Sequence, residues 1–217
     1  MIGDSKVEVV TQYKYLGVTL STELCTNTIL SDLVTRAKAA SIQILRSLRK
    51  LTVVTPDVLF KIFDAQVQPI LLYGSEIWGN CDCRCVETVH MFVLKWFLNV
   101  APRTPNVMIY GDTGRYPLDI NAQIRSVKYW LKLLRMEHGR YPHQVYMSML
   151  NTVESRFNWA TRIEMLLIKF DFEREWNCQM VPNETSFLKL LKSRMTEMIG
   201  KIVCSLVSDI PFTDELK

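Results

Sequence analysis

Asp64-Ala-Gln-Val-Gln-Pro-Ile-Leu-Leu-Tyr-Gly-Ser-Glu-Ile-Trp-Gly79 is the stretch whose reading decides the fold. It is too apolar for a surface segment. Pro69, Gly74 and Gly79 break it, so it falls short of the ~20 apolar residues that a membrane-spanning helix needs. Pro69 removes a backbone donor and predicts a kink or a restart of the helix. Gly74 predicts a place where a second backbone comes close. Tyr73 and Trp78 read as packing residues. Basic, helical sequence lies on both sides, so the stretch reads as the buried axle of a helical domain.

The rest of the composition agrees with a packed α-helical protein. The 217 residues are 48% hydrophobic and 22% charged, with five Trp, eight Tyr and nine Phe for a core. Only eight Gly and eight Pro argue against a turn-rich all-β fold. The net charge of +4 permits a nucleic-acid partner without requiring one. Charges stand at the opening of the chain where a signal peptide would be apolar, and no run of 18 apolar residues occurs. The six cysteines do not form a secreted framework. These features predict an intracellular protein, cytoplasmic or nuclear, with reduced thiols and no membrane partner.

Upstream of the axle, Val7, Val9, Tyr13, Tyr15, Val18 and Leu20 are β-formers, with a turn expected at Thr11-Gln12. Two short strands are marginal alone, so the chain is expected to open inside a larger fold. A long helix is expected over Thr28 to Lys50, with Leu33, Ala37, Ala40, Ile44 and Leu48 as its apolar stripe. Five basic residues and one acidic residue, Asp32, lie between Asn27 and Lys50. Thr55-Pro56-Asp57 supplies a capping hydroxyl, a proline at the first helical position and an acid in the first turn.

Downstream, a third helix is expected over Asp82 to Val100, its apolar side being Val86, Val89, Val93, Trp96, Phe97 and Val100. Pro102 and Pro105 bracket a loop. A turn of helix follows at Asn106 to Tyr110, and Gly111 and Gly114 mark a bend. Leu118 to Glu137 carries the clearest charge pattern. Arg125, Lys128, Lys132 and Arg135 stand at i, i+3, i+7 and i+10, within roughly 80° at 100° per residue. Ile120, Ile124, Val127, Leu131 and Leu134 fill the adjoining sector. Helices are then expected from Pro142 to Asn151, from a cap at Asn158, over Glu173 to Trp176, and from a cap at Asn183. The last should bury Phe187, Leu190, Leu191, Met195, Met198, Ile199 and Ile202. The tail from Ser208 to Lys217 reads as frayed. The expected fold is mainly α, a multi-helix bundle with a short N-terminal β-hairpin.

Chemistry is sparse. Cys81, Cys83, Cys85 and His90 do not have the paired Cys-x2-Cys arc of structural zinc sites, and exposed thiols are the simpler reading. His90, His138 and His143 read as helix-end or surface residues. There is no nucleophile elbow, phosphate loop, dinucleotide fingerprint or zinc-protease motif. No adjacent Asp-Asp pair is present, and Asp112, Asp119 and Glu137 have nothing to fix them as a set. No catalytic residue, metal, cofactor or small-molecule substrate is expected.

Four stretches in this order and spacing resemble the reverse transcriptases of LINE-type (non-LTR) retrotransposons. They are Tyr-Lys-Tyr-Leu-Gly-Val at Tyr13 to Val18, Pro-Ile-Leu-Leu-Tyr-Gly-Ser-Glu-Ile-Trp-Gly at Pro69 to Gly79, Val-His-Met-Phe-Val-Leu-Lys-Trp-Phe-Leu-Asn-Val at Val89 to Val100, and Asn-Val-Met-Ile-Tyr-Gly-Asp-Thr-Gly-Arg-Tyr-Pro-Leu at Asn106 to Leu118. The resemblance covers roughly residues 7 to 118, and the later helices look like its continuation. It implies an RNA-directed DNA polymerase family whose metal-binding Asp-Asp motif precedes the Tyr-Leu-Gly segment. By that resemblance this chain is a non-catalytic fragment: a hairpin at the palm–thumb junction over 1–22, a thumb-like helical region over 23–139 and a C-terminal helical region over 140–217.

A thumb holds an RNA or DNA template–primer duplex mainly through phosphates. The resemblance therefore points to Arg36, Arg46, Lys50, Arg125, Lys128, Lys132 and Arg135 as nucleic-acid contacts. Each of these also suits a solvated helix face. The alternative is a helical protein-interaction module, retained by its host, with no nucleic-acid role.

Overall fold

A computed structural model describes residues 10–15, 17–21, 26–51, 53–151 and 158–208. Val7, Val9 and the tail beyond Ser208 lie outside the described residues. The protein is mainly α-helical, with a two-stranded antiparallel hairpin near its N-terminus. It divides into two units, Met1–Gly74 and Ser75–Lys217. The stretch from Asp64 to Gly79 is therefore no single axle. It closes the first unit and opens the second, and Tyr73 and Ile77 are 43% and 60% exposed.

The first unit begins with β1 (Gln12–Tyr15) and β2 (Val18–Ser21), paired with Tyr15 opposite Val18. The turn lies at Gly17, not at Thr11-Gln12. Its φ of +82° is one that a residue with a Cβ rarely adopts, which fixes the reversal there. β1 is exposed along its length.

Helix α1 (Thr26–Leu48) buries Leu30, Leu33, Ala37, Ser41, Leu45 and Leu48. The buried face is rotated from the expected stripe, because Ala40 and Ile44 lie on its flank. Ser41 is accommodated because its hydroxyl donates to the Ala37 carbonyl at 2.8 Å. Helix α2 (Pro56–Ile62) has Thr55 at its N-cap, but the Thr55 side chain makes no cap hydrogen bond; proline at the first position does the starting.

The expected kink at Pro69 takes a specific form. Phe63–Val67 is a π-helical turn in which the Gln68 N–H donates to the Phe63 carbonyl, five residues back. The extra residue absorbs the missing donor and ring clash of Pro69. Helix α3 (Gln68–Leu71) follows, then Gly74 with φ +69°. Leu59, Phe63, Val67 and Leu71 complete the unit's core, with α1 packed on α3 and on the π turn.

The second unit contains α4 (Ser75–Trp78), α5 (Arg84–Leu98), α6 (Asn106–Thr113), α7 (Leu118–Leu134), α8 (Tyr141–Asn151), α9 (Trp159–Lys169), α10 (Glu173–Cys178) and α11 (Glu184–Ser208). Helix α7 is its centre and packs against α4, α5, α8, α9 and α11. Trp130 on α7 is fully buried, with ring centroids 5.9 Å from Trp176 and 6.4 Å from Phe187. Its indole N–H donates to the Tyr146 hydroxyl at 2.9 Å, which satisfies the group that burial would otherwise leave without a partner.

Helix α4 reaches α7 through small residues, Ser75 and Gly79 against Ala122 and Ser126. The Ser126 hydroxyl donates to the Ser75 carbonyl at 2.8 Å. A Cβ on Gly79 would stand 2.3 Å from the Ala122 carbonyl oxygen, so a close backbone approach falls at Gly79, the last residue of the stretch.

Asn158 and Asn183 cap α9 and α11 as expected, accepting from the Thr161 and Ser186 amides at 2.9 and 3.0 Å. Gly111 does not bend the chain but lies inside α6, which ends at Gly114 with φ +63°. Leu190 and Ile202 of α11, expected inside, are 47% and 45% exposed. Among the described residues no helix is long and apolar enough to cross a membrane.

Candidate nucleic-acid interface

Helix α7 starts without a capping side chain of its own, since its N-cap is Pro117. The acceptor comes from α5. The Leu118 amide donates to Glu87 Oε2 at 2.8 Å. The other oxygen, Oε1, accepts the Tyr110 hydroxyl at 2.8 Å and lies 2.7 Å from His90 Nδ1. An ionised Glu87 requires the proton on Nδ1 of His90. One carboxylate thus joins α5, α6 and the N-terminus of α7, where a negative charge also complements the helix dipole. His90 is fully buried in this network, inside α5, and is neither a helix-end nor a surface residue.

With its start fixed and three faces covered, α7 presents a narrow basic edge. Lys128 and Lys132 are exposed, about 6 Å apart along the axis at 1.5 Å per residue. Arg125 is half-buried. Arg135, the C-cap, stays 67% exposed at its side chain while its Nε donates to Glu184 Oε1 at 3.0 Å. The four cations stand on one edge as the spacing implies, but they are not equivalent: a phosphate at Arg135 would compete with Glu184.

Arg36, Arg46 and Lys50 belong to the first unit. Arg46 and Lys50 are exposed at the end of α1. Arg36 is tied to its own fold, with Nη2 donating to the Gly17 carbonyl at 3.0 Å and pairing with Asp32 Oδ2 at 3.0 Å. It holds the hairpin turn to α1. Other cations are likewise committed. Arg194 donates to the Phe170 and Asp171 carbonyls and lies over the Phe172 ring, and Lys95 donates to the Pro102 carbonyl.

The cysteine cluster edges a cleft of about 340 Å³ lined by Cys81, Asp82, Cys83, Glu87, Pro117 and Asp119, among others. The thiols are not uniformly exposed: Cys83 is buried, Cys81 is half-buried and accepts from Arg162 Nη1, and Cys85 is exposed. Burial first, and then the nearby charges of Asp119, Cys85, Glu87 and Asp82, push the Cys83 thiol up to about 12. Burial and the adjacent Glu87 raise Tyr110, and burial raises Asp119. Cys83 and Tyr110 are therefore held in their neutral, unreactive forms at neutral pH. Among the described residues no group of three or more His, Cys, Asp and Glu side chains is arranged to hold a metal ion.

Sequence reasoning missed Glu87 as a structural hub. The available signals were a helix opened by Pro117 with no capping hydroxyl, and a glutamate at i, i+3 from a histidine between Val86 and Val89. Comparison with known proteins found no matching family model, no matching curated protein and no matching solved structure.

Proposed function

We propose that this chain is the thumb and following helical region of a non-LTR reverse transcriptase, and that it grips a template–primer duplex through phosphates along α7. The four motif stretches support the family, and the exposed Lys128–Lys132 edge on an otherwise covered helix carries the binding role. In this reading the polymerase chemistry belongs to residues upstream of the Tyr-Leu-Gly segment, and the chain contributes non-specific, salt-sensitive affinity. Titrating the purified chain into a labelled RNA–DNA duplex at low and moderate salt tests it. Absence of binding at low salt refutes it. The exposed apolar side chains of α8, Val145, Met147 and Leu150, favour the second reading, a protein-interaction module. That reading predicts no duplex affinity at any salt concentration.

A further inference from the structure

The turn that leads out of α7 ends on an exposed aromatic side chain a few residues after the last cation of the basic edge. Tyr141 opens α8 six residues after Arg135 and is 84% exposed, while Tyr146, one turn on, is 2% exposed and hydrogen-bonded in the core. Local bonds fix the turn. The Arg140 amide donates to the Glu137 carbonyl at 3.1 Å, the Gln144 amide to the Arg140 carbonyl at 3.1 Å, and Gln144 Nε2 to the Gly139 carbonyl at 3.3 Å. The His138 and His143 rings meet edge to face at 4.6 Å across it. Residues 125 to 141 carry five Lys and Arg against one acid, Glu137. Arg140 directly precedes Tyr141 and is exposed.

A flat, exposed aromatic that follows a row of cations along the chain suits one kind of polyanion. Bases inside a duplex are stacked on each other and offer no face to a side chain, whereas bases of an unpaired strand do. We propose that Tyr141 is a stacking platform for a base of an unpaired nucleic-acid strand whose phosphates run along the Arg140, Arg135, Lys132 edge. The inference rests on the phosphate-gripping reading of α7 and adds to it a preference for single strands or for duplexes with an overhang. The turn is already formed in the protein alone, so little ordering opposes binding.

The test measures affinities of the full chain for oligouridine, a blunt RNA–DNA duplex and the same duplex with an unpaired overhang, at one low salt concentration. Tyr141→Ala is expected to weaken oligouridine and overhang binding about tenfold and to leave the blunt duplex unchanged. Tyr141→Trp is expected to restore the loss, which a merely structural role would not predict. If Tyr141→Ala leaves all three affinities unchanged while Lys128→Ala/Lys132→Ala lowers them, stacking is overturned and the phosphate reading stands. Equal losses on all three probes also overturn the single-strand preference. If the unaltered chain binds none of the probes, both are overturned.

Discussion

Replacing Glu87 tests the construction of the second unit. Its carboxylate takes Leu118 N–H, Tyr110 O–H and His90 Nδ1 at 2.8, 2.8 and 2.7 Å, with its side chain 17% exposed. Glu87→Gln keeps the shape but swaps one acceptor oxygen for an NH2 group. Placed toward Leu118, that NH2 faces an obligate backbone donor; placed the other way, it must draw His90 into its other tautomer and turn the Tyr110 hydroxyl into an acceptor. A hydrogen bond to a charged group contributes about 1.5–3 kcal/mol, and an orphaned buried donor costs a similar amount. We expect Glu87→Gln, which exchanges charge-assisted bonds for neutral ones, to lose about 1–2 kcal/mol and Glu87→Ala about 3–5 kcal/mol, the larger figure reflecting three donors left without an acceptor. Urea unfolding followed by far-ultraviolet circular dichroism gives the midpoint shift. Amide exchange at Leu118 should accelerate more than exchange in the middle of α7, because the lost bond is the one that caps the helix. A Glu87→Gln midpoint within error of the unaltered protein would refute the clamp.

Three further outcomes follow from the same geometry. Gly79→Ala sets a Cβ 2.3 Å from the Ala122 carbonyl oxygen and 2.5 Å from that of Ser75, both backbone atoms, so the α4–α7 contact must open and the end of α4 must shift; we expect a loss of about 3 kcal/mol, read as a drop of about 6–12 °C in midpoint temperature. Asp119 has its folded-state proton affinity raised by burial. Its contribution favours folding below the usual aspartate value of 3.8 and is lost as pH rises through the folded-state value. Asp119→Asn should therefore stabilise the protein more at pH 7 than at pH 4, in paired urea titrations. Cys83, with its thiol pushed up to about 12, should be alkylated far more slowly at pH 8 than exposed Cys178, as counted by mass spectrometry of digested protein.

Local signals carried much of the fold. Asn158 and Asn183 mark helix starts by their own side chains, and the 3.6-residue spacing of Ile120, Ile124, Val127 and Leu131 follows the buried face of α7. What stayed hidden depends on partners distant in sequence. Nothing near Glu87 announces that it caps a helix 31 residues later. Ser75 and Gly79 become a close-packing surface only when Ala122 and Ser126 stand opposite. His90 reads as polar until Glu87 supplies its hydrogen bond inside the core. Arg36 shows the same limit for charge: its helix position implies a surface cation, yet it is half-buried and bonded to Gly17. The basic edge was legible because Lys128 and Lys132 need only their own helix to define it.

The central claim, that α7 holds a nucleic-acid duplex by its phosphates, is tested most directly by the salt dependence of binding. Phosphate contacts at the two exposed lysines, Lys128 and Lys132, predict a contribution to the slope of log affinity against log salt of about −1.8, or a loss of about 12-fold between 50 and 200 mM. Lys128→Ala/Lys132→Ala removes both contacts, so the slope should become shallower by about 1.8. Both lysines are exposed, so their replacement should leave the unfolding midpoint unchanged. The account predicts the shallower slope with an intact fold. An unchanged slope in the double variant, or no binding by the unaltered chain at 50 mM, would contradict it.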